Sequence, residues 1–194
     1  MPGELPPHYR EVLYWKLAES PARLLGIILL ALPLGALAAL LFLGLAAGLG
    51  GAGLEALTDW PHYLGLIAGL LATLSLHELT HGLTMAIFGA RPRYGIKWEA
   101  GALYATAPGF AFTRDQYLTV SFMPLIGLSI VAVGGMWALA GTRAVPLLAL
   151  CAVMNAMGAC GDVYMGWRVA RYPPAAWVVD EADGMRIFMP AEPG

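Results

Sequence analysis

Leu76-His77-Glu78-Leu79-Thr80-His81-Gly82 lies inside the apolar stretch Tyr63 to Phe88, in which Glu78 is the only formally charged residue. Two histidines four apart project from one face of a helix, one above the other, so both imidazoles can reach a single metal ion. The glutamate between them projects close enough to hold a water beside that ion. H-E-x-x-H on a helix is the signature of a zinc hydrolase. At membrane depth each ionisable group costs about 3 kcal/mol, so a carboxylate and two imidazoles there are read as functional.

The surrounding composition sets the solvent. Of 194 residues, 59% are hydrophobic and only 12% are charged, against about 25% charged in soluble domains. With a mean hydropathy of +0.67, this points to a polytopic membrane protein. Four apolar stretches, near Arg23–Leu49, Tyr63–Phe88, Tyr117–Ala140 and Ala144–Val169, each reach the roughly 20 residues that a bilayer core requires. The expected fold is an all-α polytopic membrane protein with about four transmembrane helices, a small interfacial β element and a C-terminal cytoplasmic hairpin. Residues 1–194 form one membrane-embedded domain in this reading. Residues 1–20 are a short interfacial helix carrying Tyr14 and Trp15 at headgroup level, and residues 172–194 a cytoplasmic tail.

Arg93 to Thr113 is the least helical part of the chain, and its alternating Tyr94, Ile96 and Trp98 predict one or two short strands. Trp177-Val178-Val179-Asp180 and Met185-Arg186-Ile187-Phe188 flank Asp183-Gly184, a hairpin signal. Cys151 and Cys160 lie about 13 Å apart along one helix, too far for a disulfide, and read as small packing residues.

Charge placement gives an orientation. Arg10, Lys16 and Arg23 precede the first span; Arg91, Arg93, Lys97 and Arg114 follow the second; Arg168, Arg171 and Arg186 sit at or beyond the fourth. Arg143 alone falls on the opposite side, with Glu55 and Asp59. The positive-inside rule makes the basic face cytoplasmic and puts both termini there, in the cytoplasmic membrane of the cell. The basic residues are too dispersed to argue for nucleic acid, so the expected partners are the lipid bilayer and a membrane-protein or peptide substrate. The oligomeric state is not readable from the sequence.

Catalytic zinc usually takes three protein ligands and keeps one position for water. His77 and His81 supply two. Thr84 and Ile87 stand where a further Gly and His would complete a metzincin pattern, so the third ligand comes from elsewhere. Asp162, at a depth comparable to His81 in the fourth stretch, is taken over Glu99, which sits beside Lys97 in the interfacial segment. Glu78 is assigned as general base, taking a proton from the attacking water and passing it to the leaving amine. Asn155, two turns above Asp162, either donates an amide N–H to the developing oxyanion or makes a helix–helix hydrogen bond.

The chain resembles the intramembrane zinc metalloproteases of the site-2 protease class, and more closely a bacterial family of small four-span zincin peptidases. The resemblance rests on His77-Glu78-Leu79-Thr80-His81, the run Tyr104-Ala105-Thr106, and Asn155 with Gly161-Asp162. It implies zinc bound by His77, His81 and Asp162, Glu78 as the catalytic base, and cleavage of a transmembrane or membrane-adjacent segment near the cytoplasmic face. Gly161-Asp162-Val163 stands where the site-2 class carries Leu-Asp-Gly. A non-catalytic metal-binding membrane scaffold is the alternative expectation.

Overall fold

The computed structural model describes residues 3–16, 20–50, 60–97, 102–181 and 184–191. Glu55, Asp59, Trp98, Glu99 and Asp183, named above, lie outside these residues.

Local chemistry accounts for the helix ends. α1 (Pro21–Gly48) opens on a proline, whose missing N–H is no loss in a first turn. The Ser20 carbonyl accepts from the backbone N–H groups of Arg23 and Leu24 at 3.0 and 3.3 Å. α2 (Trp60–Ile87) closes in a Schellman motif: Gly89 takes φ +91°, its N–H reaches the Ala86 carbonyl at 2.9 Å, and the Ala90 N–H reaches the Met85 carbonyl at 3.1 Å. α3 (Arg114–Ala138) begins with a reciprocal capping box, in which the Gln116 N–H donates to Thr113 Oγ1 and the Thr113 N–H donates to Gln116 Oε1. The fourth apolar stretch is divided into α4 (Ala144–Gly158) and α5 (Cys160–Ala170), bent by 45° at the break.

The chain is not all-α. Strands β1 (Tyr9–Lys16), β2 (Arg93–Lys97), β3 (Ala102–Thr106), β4 (Ala111–Thr113), β5 (Trp177–Glu181) and β6 (Gly184–Pro190) form two antiparallel sheets, one ordered β1-β6-β5-β4 and one made of β2 and β3. The expected interfacial helix at the N-terminus is therefore a strand. Its register shifts between Glu11 and Leu13, a bulge that leaves Val12 exposed at 41% and breaks the alternation by which a strand is recognised. Beyond the bulge Trp15 turns inward and is buried at 2% exposure. Pairing with β6 satisfies a backbone that an isolated helix would have satisfied internally.

The chain divides into two compact units: residues 1–27, 78–123 and 161–194 in one, and residues 28–77 and 124–160 in the other. The first holds both sheets, and its core is built from the inward faces of β4, β5 and β6, where Phe112, Val178, Met185 and Ile187 are fully buried. Among the described residues the second holds helices and no strand, with a core of Ala46, Met136, Val145 and Ala149. Small residues set its packing distances: a Cβ on Gly69 would meet Cys151 Sγ at 3.0 Å, and one on Gly35 would meet the Met157 side chain at 2.7 Å. Among the described residues three helices, α1, α2 and α3, are long and apolar enough to cross a membrane, and a fourth span exists if α4 and α5 count as one. Their leucines and isoleucines face outward, as at Leu40 and Ile87, which are 74% and 77% exposed.

Gly184 closes the β1–β6 ladder opposite Lys16, and a Cβ there would collide with the Trp15 backbone carbonyl. Gly184→Ala is expected to destabilise the protein by about 1–3 kcal/mol, as overpacking does, read as a lower Tm in detergent. An unchanged Tm would refute that close backbone approach.

Candidate metal centre

Each histidine of the motif has its Nδ1 atom occupied, which decides what the other nitrogen can do. His81 Nδ1 lies 3.0 Å from the Val120 carbonyl oxygen. A carbonyl only accepts, so Nδ1 carries a proton, and Nε2 is the nitrogen that, once deprotonated, can give its lone pair to a cation. Val120 has a carbonyl to offer because of Pro124, inside α3. In a regular helix the N–H of residue 124 would donate to the carbonyl of residue 120. Proline has no N–H, and its ring pushes that carbonyl aside.

His77 is treated in the same way. Its Nδ1 stands 2.9 Å from Asn155 Oδ1, and the Asn155 amide is oriented by Nδ2, which donates to the Pro124 carbonyl at 3.1 Å. Asn155 is 2% exposed. Of the two roles expected for Asn155, the geometry gives it a hydrogen bond that aims a histidine. Such outer partners fix tautomer and ring direction in metal sites.

The remaining ligand atoms converge. His81 Nε2 is 3.3 Å from Asp162 Oδ1. His77 ends one compact unit and Glu78 begins the other, but α2 runs unbroken through both, so His77 is fixed one turn from His81 by the helix itself. One donor atom each from His77, His81 and Asp162 lies within 4.8 Å of the others. Nitrogen and oxygen donors about 2.0–2.1 Å from a tetrahedral zinc ion sit roughly 3.3 Å apart, the separation of the His81–Asp162 pair. Two imidazoles and one carboxylate are a donor set that zinc accepts, so the residues fit the ion.

Beside these atoms opens a cavity of about 160 Å³, whose wall includes Glu78, His81, Tyr104, Tyr117, Asp162 and Asp180. It is smaller than the roughly 300–1,000 Å³ of small-molecule sites, a size suited to part of a longer substrate. Leu103, Tyr104 and Ala105 of β3 all border it. Successive strand side chains point to opposite faces, so three in a row mean that the strand presents its edge. The β2–β3 hairpin comes this close to α2 because Gly82 has no side chain: a Cβ there would strike the Tyr94 hydroxyl. Tyr117, 2% exposed, leans its hydroxyl on Met165 Sδ at 3.8 Å.

The structure thus places His77, His81 and Asp162 together, sets Glu78 in the cavity wall and puts Asn155 behind His77; Glu99 lies outside the described residues. Two further contributors escaped the sequence reading. Pro124 was not among the site residues expected from the sequence. Asp180 was taken as hairpin sequence, although alternation along Trp177–Glu181 puts it on the same inward face as Val178. Asp180 is 7% exposed, and burial lifts its carboxyl to about pKa 7; the Thr106 hydroxyl and the charge of His81 oppose this, while Asp162 and Glu78 add to it.

Residues 70–177 match the protein family described as "putative zincin peptidase". Over 132 residues the chain is 30% identical to an uncharacterised 24.7 kDa protein of the gap 5′ region of Pyrococcus woesei; the match covers 66% of this chain and 55% of that protein's length. No solved structure matches the chain.

Pro124→Ala restores an N–H that competes for the Val120 carbonyl and loosens His81. Zinc affinity, measured by chelator competition, is expected to fall by about tenfold or more, the usual consequence of losing an outer partner; unchanged affinity would refute the role given to the proline. Asp180 supplies a second test, on the metal-free protein. Its folded pKa, about 7, lies above the unfolded value of 3.8, so the folded state holds the extra proton between those values and stability falls as pH rises through that window. Asp180→Asn does not titrate. It is expected to be less stabilising than Asp180 near pH 4 and more stabilising at pH 8, a swing on the order of a few kcal/mol in denaturation series.

Proposed function

Because the chain belongs to the putative zincin peptidase family, whose chemistry is that of zinc metallopeptidases, we propose that it is an intramembrane protease of the site-2 type. In this reading it hydrolyses a peptide bond of a membrane-spanning or membrane-adjacent substrate near the cytoplasmic face. The observation that carries the proposal is the pair of Nδ1-anchored histidines, on a helix apolar enough to cross a membrane, whose second ring nitrogens converge with Asp162. A structural metal would account for those three ligands. It would not account for Glu78 in the wall of the adjoining cavity, which favours catalysis over the scaffold alternative.

Zinc held by the Nε2 atoms of His77 and His81 and by Asp162 would supply a Lewis acid that polarises a carbonyl and lowers the pKa of water to about 7. Glu78 takes the proton released as water adds to the scissile carbonyl carbon. It then delivers that proton to the amide nitrogen as the C–N bond breaks, leaving a carboxylic acid and an amine, which ionise to carboxylate and ammonium. Asn155 and the Val120 carbonyl hold the two imidazoles in direction during this exchange. The exposed edge of β3 offers backbone hydrogen bonds to an extended substrate, so a helical substrate has to unwind locally before it is cut. The dominance of basic residues on one side of the spans supports a multi-pass arrangement in the cytoplasmic membrane with both termini inside.

The test joins metal content to activity on the purified protein. Glu78→Gln is expected to keep one zinc per chain and to lose cleavage of membrane-peptide substrates by about a hundredfold or more; His77→Ala is expected to lose the zinc. Full zinc occupancy in both His77→Ala and His81→Ala would overturn the site, and Glu78-independent cleavage would overturn the reaction.

A further inference from the structure

Four carboxylates line the cavity: Glu78, Asp162, Asp180 and Glu181. Three have a defined counterpart or task. Glu181 is neutralised by Arg186, Oε1 to Nε at 2.8 Å, and receives the Tyr14 hydroxyl on Oε2 at 2.9 Å. Asp162 faces His81, and Glu78 and Asp162 together would balance a divalent ion held there. Asp180 has the Thr106 and Tyr117 hydroxyls as neighbours but no Lys or Arg paired with it. Its Oδ2 is buried without a hydrogen-bond partner, in a residue that is more than nine-tenths buried. Among the described residues, His81 is the one basic residue lining this cavity.

Position adds to this. Asp180 lies between the metal-side cavity and a neighbouring one of about 360 Å³. β4 pairs with β5 only from Trp177 to Val179, so Asp180 and Glu181 project past the end of β4 and border both spaces. The second cavity does contain a cation, Arg93. A chain lying along β3 would therefore pass Asp180 next to the bond being cut.

We propose that Asp180 is the floor of a cation-recognising subsite, which takes the ammonium or guanidinium of a substrate Lys or Arg, or a free N-terminal ammonium, beside the scissile bond. This rests on the metalloprotease reading of the same cavity. A buried carboxylate without a counter-charge is costly; a cation arriving from the substrate removes that cost, so the gain on binding is larger than for an exposed pair. The substrate chemistry agrees, since lysines and arginines concentrate at the cytoplasmic flank of membrane-spanning helices.

The experiment uses zinc-loaded Glu78→Gln protein and fluorescent peptides of one sequence, in which a single Lys is walked through the positions and compared with norleucine and Glu. Each peptide is prepared with a free and an acetylated N-terminus. At one position Lys is expected to bind about tenfold more tightly than norleucine, and Asp180→Asn is expected to reduce that ratio to about twofold or less at unchanged zinc content. Asp180→Glu, which keeps the charge, is expected to retain the preference. If acetylation rather than the Lys substitution removes the gain, the cation is the N-terminal ammonium. Equal binding of Lys, norleucine and acetylated peptides at every position overturns the subsite, and this comparison needs no substitution at Asp180. A preference that survives Asp180→Asn overturns the assignment to that residue. Cleavage by the unsubstituted enzyme is scored separately: if no peptide is cut, the protease reading fails while the binding comparison still decides the subsite.

Discussion

A carbonyl that has lost its helical partner is what the site depends on. An imidazole that must offer Nε2 to a metal has to place its Nδ1 proton somewhere, and within a bundle of apolar helices almost every acceptor is already used by the helix that owns it. Pro124 frees the Val120 carbonyl, which takes the proton of His81, and its own carbonyl orients Asn155, which takes the proton of His77. One residue of α3 therefore steers both metal-binding rings of α2. The Thr113–Gln116 capping box fixes where α3 starts, and so which turn of it stands opposite the histidines.

What the sequence disclosed follows the range of the interactions involved. His77, Glu78 and His81 were legible because their relation is one helical turn, and Asp162 because an acid in an apolar stretch has few bland explanations. The four-stranded sheet was not legible. Tyr9 pairs with Pro190, a contact between the two ends of the chain that no local pattern encodes, and the bulge at Val12 spoiled the alternation that would have marked β1. The break after Gly158 was equally hidden: the expected straight face from Asn155 to Asp162 presumed one continuous helix, whereas α4 and α5 diverge by 45°. Pro124 shows the same limit from the other side. The residue is conspicuous, but its consequence depends on which side chain stands before the carbonyl it releases.

The sheets also answer a problem that helices alone leave open. A protease has to hold its substrate as an extended chain, and an extended chain needs unpaired backbone groups to bind to. Spanning helices have none to offer along their length. Among the described residues β3 has one partner, β2, and the far end of β5 outruns β4, so these strand edges are open in the unit that also holds Glu78, His81 and Asp162. An all-α fold could have bound the ion, but it would have lacked these edges.

Electrostatics then separates holding the ion from reading the substrate. A divalent cation with Asp162 and Glu78 beside it is close to neutral, and Glu181 with Arg186 is neutral by itself. Asp180 is the charge that this balance leaves over, set on the inward face of β5 among Val178 and Met185. A buried acid whose neighbours are hydroxyls rather than a Lys or Arg destabilises the fold that contains it, and an apolar residue at position 180 would continue the core begun by Val178. If the acid is kept for a purpose, the purpose has to be supplied from outside the chain, and the cavity beside it is where a cationic substrate group would enter.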